Sequence, residues 1–142
     1  MTKKPETVKE ENLIERKDGL YYKKYAKVAF AGISEEFFEN GQLKFKENYK
    51  FGKLHGPSEL FNDNGQLDRR ENYEFGEKHG PSEIYYENGQ LYREGNYKFG
   101  EQVKGSFEYF DKNGELKDGT YERKYDGQLQ YKWNYKNGKL HG

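Results

Sequence analysis

The sequence predicts an all-β protein, a repeat array of antiparallel β-hairpins forming an elongated, twisted single-sheet meander. Three observations carry the prediction. Five letters recur: ENGQL at 39–43, DNGQL at 63–67, ENGQL at 87–91 and KNGEL at 112–116, at steps of 24, 24 and 25 residues. A period of about 20–50 residues marks an array made by stacking one supersecondary unit. Asn-Gly is the strongest short hairpin signal, because a type I′ turn needs positive φ at both central residues. After each Asn-Gly the chain alternates: Leu43, Phe45, Glu47, Tyr49 and Phe51 share one face, and Lys44, Lys46, Asn48 and Lys50 the other. Period two is the mark of a half-buried strand.

Composition fits an array with a thin core. Of 142 residues, 35% are charged and mean hydropathy is −1.36, which alone would suggest disorder. Disordered chains are poor in aromatics, however, and this one has 14 Tyr and 10 Phe. A buried ring removes ~150–250 Å² from water, an upper bound of roughly 4–6 kcal/mol at ~25 cal/mol per Å². Three or four large residues per repeat suffice for a sheet. Formal charge balances at 25 against 25, so long-range attraction to nucleic acid is not expected. There is no cysteine, hence no disulfide framework and no thiolate metal site. No apolar run approaches ~18 residues, and the N-terminus lacks the apolar region of a signal peptide. A cytoplasmic location is expected for this form, or an envelope or secreted one if a natural signal was removed.

Counting from each Asn-Gly aligns the units. Leu43, Leu67, Leu91 and Leu116 repeat, as do Asn48, Asn72 and Asn96, and Tyr49, Tyr73 and Tyr97. Phe51, Phe75 and Phe99 precede Gly52, Gly76 and Gly100, and a second turn follows as KLHG or EKHG. With a two-residue turn at Asn40-Gly41, Phe38 is expected opposite Leu43 and Glu36 opposite Phe45; likewise Leu60 opposite Arg69, and Tyr86 opposite Leu91. The fourth unit carries one extra residue in EQVKG, and its return strand is replaced by KDG at 117–119. A fifth unit runs GQLQYKWNYKNGKLHG from Gly127. Two regions follow: a charged, partly disordered N-terminal arm at 1–18, and a repeat domain of about five units at 19–142. Residues 20–30 read as one or two capping strands, and a short turn is expected in the arm.

YYENGQL, GNYKFG and NYKNGKLHG resemble the MORN-repeat variant of bacterial proteins, many of them YwqK-family antitoxins. The resemblance covers roughly residues 32–142. It implies a MORN-like β-hairpin array that serves as a binding or scaffolding surface, and the antitoxin label implies a toxin partner. Two departures stand out. Ser58 and Ser82 occupy a position where the variant often has an aromatic, supplied here only by Phe107, and the chain stops within a unit.

Candidate chemistry is weak. His55, His79 and His141 precede the second-turn glycine, one repeat apart. Adjacent repeats separate them by ~10 Å, two strands at ~4.8 Å, too far to share a metal bound at ~2.0–2.1 Å. They read as turn residues copied with the repeat. The column Glu35, Glu59, Glu83 and Glu108 reads as a solvated face paired across the hairpin with Lys46 and Arg70, with Glu94 an imperfect partner in the third unit. The Asn column, including Asn134, is expected to satisfy itself as a ladder. The glycines form no phosphate loop, and no Ser-His-Asp or Cys-His set assembles. No catalytic residue, metal or cofactor is expected.

Symmetry breaks towards the C-terminus, where Tyr131, Trp133 and Tyr135, with Tyr121 and Tyr125, offer the aromatic anchors typical of interfaces. The structural alternative is a final strand packing as a cap. The function expected is a non-catalytic protein-binding repeat module, an antitoxin or immunity-like partner of a toxin, or one that self-associates through open sheet edges. The alternative is a membrane-surface or cell-envelope scaffold using exposed Tyr and Phe; an enzyme or carbohydrate binder ranks last.

Overall fold

The computed structural model describes residues 4–116 in full and, beyond them, the backbone of strands 119–125, 128–136 and 139–141. In chain order the elements are β1 (Thr7–Lys9), one 3₁₀ turn (Glu10–Asn12), β2 (Leu13–Glu15), β3 (Tyr21–Lys23), β4 (Gly32–Phe37), β5 (Leu43–Lys50), β6 (Lys53–Phe61), β7 (Leu67–Glu74), β8 (Glu77–Tyr85), β9 (Leu91–Lys98), β10 (Glu101–Gln102), β11 (Glu108–Tyr109), β12 (Gly119–Tyr125), β13 (Gln128–Lys136) and β14 (Lys139–His141). Strands β4 to β9 form the antiparallel meander that the period predicts, each paired with the next. The sheet reaches nine strands because β1 joins β4 at one edge, while β10 and β11 share β9 at the other. Separate pairings link β2 with β3, and β12 with β13 and β14. Residues of the N-terminal arm expected as partly disordered thus supply β1, the 3₁₀ turn and β2, and β1 runs parallel to its neighbour.

The two turns of each repeat exchange the roles that the sequence predicts. At the Asn-Gly turn, Gly41 N–H donates to the Phe38 carbonyl and Phe38 N–H to the Gln42 carbonyl. Gly41 has φ of 86°, whereas neither Glu39 nor Asn40 has positive φ. This is a three-residue loop, a β-turn followed by a glycine bulge, and not the type I′ turn. The same bonds recur at Asn62–Gln66 and Tyr86–Gln90. Leu43 and Leu91 therefore register with Phe37 and Tyr85, not with Phe38 and Tyr86. The expected pairs Glu36–Phe45 and Leu60–Arg69 are found. The reason for the change lies in the Asn side chain: Asn40 Oδ1 accepts from Gln42 N–H at 2.9 Å, which favours a loop that keeps Asn out of the left-handed region. The two-residue turn lies instead at Phe51-Gly52, between paired Lys50 and Lys53. Both residues have positive φ, 53° and 75°, and Phe75 and Phe99 repeat the conformation at 49°.

Both turn rows are laced from one repeat to the next. Gly52, Gly76 and Gly100 N–H groups donate to the carbonyls of Phe30, Leu54 and Lys78, each at 2.8 Å. On the other row, Asn40 Nδ2 donates to Asp63 O at 2.8 Å and Asn88 Nδ2 to Lys112 O at 3.0 Å. These bonds satisfy turn groups that would otherwise rely on water and tie the stacking step to the 24-residue period.

Among the described residues the buried aromatics lie near the two edges of the nine-stranded sheet. At the N-terminal end buried Phe30 and Tyr49 meet at 5.7 Å, and Tyr21 meets Tyr49 at 5.4 Å. Towards the other end buried Phe107 stands edge-on to Tyr97 at 5.5 Å. Between them runs a cross-strand row of Ser34, Glu47, Ser58, Glu71, Ser82 and Gly95. From Ser34 to Ser82 a long side chain faces a short one each time; Gly95, opposite Ser82, is instead covered by Phe107, which explains why serine replaces the aromatic in two repeats.

Candidate functional site

The sheet presents two chemically different faces. On the first, the Ser–Glu row is flanked by a second row, Glu36, Phe45, Leu60, Arg69, Ile84, Arg93 and Tyr109. Where these rows cross β5, β6 and β7, a cleft of about 180 Å³ opens between Glu47 and Glu71, floored by Ser58 and walled by Phe45, Leu60, Arg69 and Tyr73. The two carboxylates occupy equivalent positions but have different neighbours. Glu71 is buried and paired with Lys78 Nζ at 2.7 Å and Arg69 Nη1 at 3.6 Å. Glu47 has no cation within 4.0 Å among the described residues; Phe45 and Leu54 stand where Glu71 has Arg69 and Lys78. Its contact is the Tyr49 hydroxyl, which donates at 3.2 Å. Burial raises the Glu47 carboxyl above the usual range, the Tyr49 hydroxyl opposes the shift, and the charge of Glu10 adds to it. Burial likewise pushes the Tyr49 and Tyr73 hydroxyls up.

The opposite face carries a charged row, Lys9, Glu35, Lys46, Glu59, Arg70, Glu83, Glu94 and Glu108, in successive register. Signs alternate as far as Glu83, with Arg70 donating to Glu59 at 2.9 Å, which agrees with the cross-hairpin pairing expected for this column. From Glu83 onwards three carboxylates are neighbours. Burial raises the Glu94 carboxyl first, and Glu108 and Glu83 add to the shift. The Tyr85 hydroxyl donates to Glu83 and is pushed up to about 12, chiefly by burial.

Among the described residues the Asn column does not form a ladder. Asn48 Nδ2 donates to the Pro57 carbonyl at 2.7 Å and Asn72 Nδ2 to the Pro81 carbonyl at 2.9 Å. Each closes the bulge at which one residue of the return strand faces the His-Gly-Pro segment of the next. His55 and His79 are structural links between repeats. His55 Nδ1 accepts from Phe75 N–H, and His79 Nδ1 from Phe99 N–H, both at 3.3 Å. Their rings lie 5.0 and 4.9 Å from those of Phe75 and Phe99. No group of three His, Cys, Asp or Glu able to hold a metal occurs among the described residues.

Period-two reading places Phe51, Phe75 and Phe99 at the end of a buried face. They instead occupy the tips of the type I′ turns and are exposed. The signal that marks them is Phe-Gly between two alternating runs, a two-residue connection. The aromatic set expected to bind a partner lies on β12 and β13. Backbone register pairs Tyr121 with Trp133, Arg123 with Tyr131, Gly119 with Tyr135 and Tyr125 with Gln128. The side chains of Tyr121, Tyr125, Tyr131, Trp133 and Tyr135, like those of Asn134 and His141, lie outside the described residues. Among the described residues no helix is long and apolar enough to cross a membrane.

No curated protein matches the chain. Residues 31–51, 54–74 and 78–99, one hairpin each, match the family model of the MORN repeat variant, so the chain carries three successive copies of a unit similar to that repeat.

Proposed function

We propose that the chain is a non-catalytic protein-binding repeat module that uses the first sheet face to engage a cationic side chain of its partner. The observation that carries this reading is the cleft between Glu47 and Glu71, in which the buried carboxylate has its cations and the equivalent part-buried one lacks them. A lysine or arginine set between Phe45 and Tyr73 would give Glu47 the counter-charge that Lys78 gives Glu71. The antitoxin role implied by the resemblance makes a toxin the first partner to look for. The test is affinity capture from native host lysate with the intact chain, Glu47→Gln, and a chain lacking residues 116–142 as baits. One dominant protein lost with Glu47→Gln supports the cleft. The same protein lost only with the truncation moves the contact to the aromatic strands β12 and β13.

A second reading, a membrane-surface scaffold, is favoured by the exposed row Phe51, Phe75 and Phe99. Liposome flotation decides it: protein that stays at the bottom of the gradient with both neutral and anionic vesicles removes this reading.

A further inference from the structure

The first strand of the array is held differently on its two sides. Towards β5, β4 pairs antiparallel from Gly32 to Phe37. Towards the outside it pairs with β1, parallel, at only Thr7–Ile33, Val8–Ser34 and Lys9–Glu35. The equivalent strands β6 and β8 have a return strand on each side. β1 therefore stands where a return strand would stand, in the opposite direction and over fewer residues. Parallel pairing is the weaker kind per residue. Beyond the ladder, Ile33 N–H donates to the Glu6 carbonyl at 2.7 Å, an exposed Lys23–Glu6 ion pair spans 3.0 Å, and the 3₁₀ turn that follows β1 lies against β4.

β1 also stops short. Beyond Lys9 the chain turns into the 3₁₀ segment, while β4 continues through Glu36 and Phe37. A cleft of about 250 Å³ remains there, lined by Lys9, Glu10, Glu11, Glu35, Glu36 and Phe37. Its lining holds four carboxylates and one lysine; Lys46 stands opposite Glu35 on the β5 side and Lys44 Nζ lies 3.9 Å from Glu36, which leaves Glu10 and Glu11 without an ion pair among the described residues, and the Phe37 side chain is exposed. An incoming strand could begin pairing at Glu36 and Phe37 before β1 leaves. The array itself shows what such a strand needs. Opposite the counterparts of Glu35, namely Glu59 and Glu83, it places Lys46 and Arg70, and β1 places Lys9 opposite Glu35.

We propose that β1 is a displaceable cover and that the outer edge of β4 accepts an extended basic strand of a protein partner, antiparallel, with a lysine or arginine opposite Glu35. This rests on the protein-binding reading and names the kind of segment bound. The probe is a labelled peptide of residues 43–50, LKFKENYK, which carries the array's own return-strand pattern. Its binding is followed by fluorescence anisotropy with three full-length proteins: the wild type, Val8→Pro, and the Thr7→Cys/Ile33→Cys pair in oxidised form. The chain has no native cysteine, so the engineered bridge has no competitor.

The expected result is that Val8→Pro binds at least ~10-fold more tightly than wild type, because proline removes a ladder donor from β1. The oxidised pair should bind at least ~10-fold more weakly, and reduction should restore wild-type affinity. Hydrogen exchange should show added protection in β4 and none in β6 when peptide is bound to the wild type or to Val8→Pro. Equal affinities for all three proteins, or no binding by any, would overturn the proposal. So would self-association of Val8→Pro without peptide, which would assign the edge to a second copy. Where Val8→Pro does not fold, the wild type and the oxidised and reduced pair decide the matter alone. Peptide binding that fails while lysate capture succeeds rejects the β4 edge and leaves the sheet-face reading standing; the reverse rejects the face.

Discussion

Phe107 lies so close over Gly95 that a Cβ on the glycine would meet the ring at 2.5 Å. In the two preceding repeats the corresponding pairs are Glu71 with Ser82 and Glu47 with Ser58. Large and small exchange strands between the second and third repeats, and the sheet stays filled. Gly95→Ala should therefore destabilise by ~1–3 kcal/mol, the range for overpacking, read as a fall in Cm with unchanged m. The pairing gives a sharper test. Gly95→Glu and Phe107→Ser should each destabilise, whereas the double variant restores the Glu–Ser pattern and should recover part of the loss. A double-mutant cycle with no coupling would show that the two positions are not matched to each other.

His55 and His79 should each hold the next turn, and His79 Nε2 also lies 3.4 Å from the Glu74 carboxylate. His79→Ala removes the acceptor for Phe99 N–H and the ring beside Phe99, a loss of ~1 kcal/mol for a bond of this kind. Exchange of the Phe99 amide should quicken about fivefold, the equivalent of ~1 kcal/mol, while that of Phe75, held by His55, changes less. Equal changes at both amides would mean that the row responds as one body.

How much of this was legible in the sequence follows from which signal each feature rests on. The meander was legible because a 24-residue step and period-two alternation are strong and agree; Glu36–Phe45 and Leu60–Arg69 match although the loop is one residue longer than expected, because the register shift beyond Glu36 and Leu60 absorbs the extra residue. The turn types were not. Asn-Gly serves a type I′ turn and a β-turn with a glycine bulge equally well, and the choice depends on Asn40 bonding to Gln42 and to Asp63 of the next repeat. Phe51 reads as one more apolar residue on a strand face until Lys50 and Lys53 are seen to pair. The Asn column was visible as a column, but its acceptors, the Pro57 and Pro81 carbonyls, exist only once the bulge forms. β1 was hidden for a different reason: the three residues Thr7, Val8 and Lys9 are too few to show a period, and the edge they join is supplied by a strand some 25 residues away.

The strained turns separate two contributions. Phe51 and Phe75 share the left-handed conformation, which a bulky residue adopts at a cost of ~1–3 kcal/mol. Asparagine tolerates it, and Asn-Gly is the preferred type I′ pair. Phe51→Asn should thus raise stability by ~0.5–1 kcal/mol. Phe75→Asn gains the same relief but loses the ring contact with His55, so its net change should be smaller. Two equal gains would mean that the His55–Phe75 contact contributes nothing.

Glu47 and Glu71 should respond to neutralisation with opposite signs. Burial holds the Glu47 carboxyl above its usual range, so the native state binds this proton more firmly than the unfolded chain, whose glutamates titrate near ~4.3. The stability gained from the proton is complete below that value and is lost as pH rises through the higher native one. At pH 7 the charge is therefore a burden, and Glu47→Gln should raise Tm there. The gain should shrink towards zero as pH falls below about 4, where wild type and variant are both uncharged at this position. Glu71→Gln should instead lower stability at pH 7 by ~1–3 kcal/mol, because Lys78 at 2.7 Å and Arg69 at 3.6 Å lose their anion. Thermal melts of the three proteins across pH 3.5–7.5 decide the question. A Glu47→Gln variant less stable than wild type at neutral pH would mean that the carboxylate already has a counter-charge, and the binding role given to the cleft would go with it.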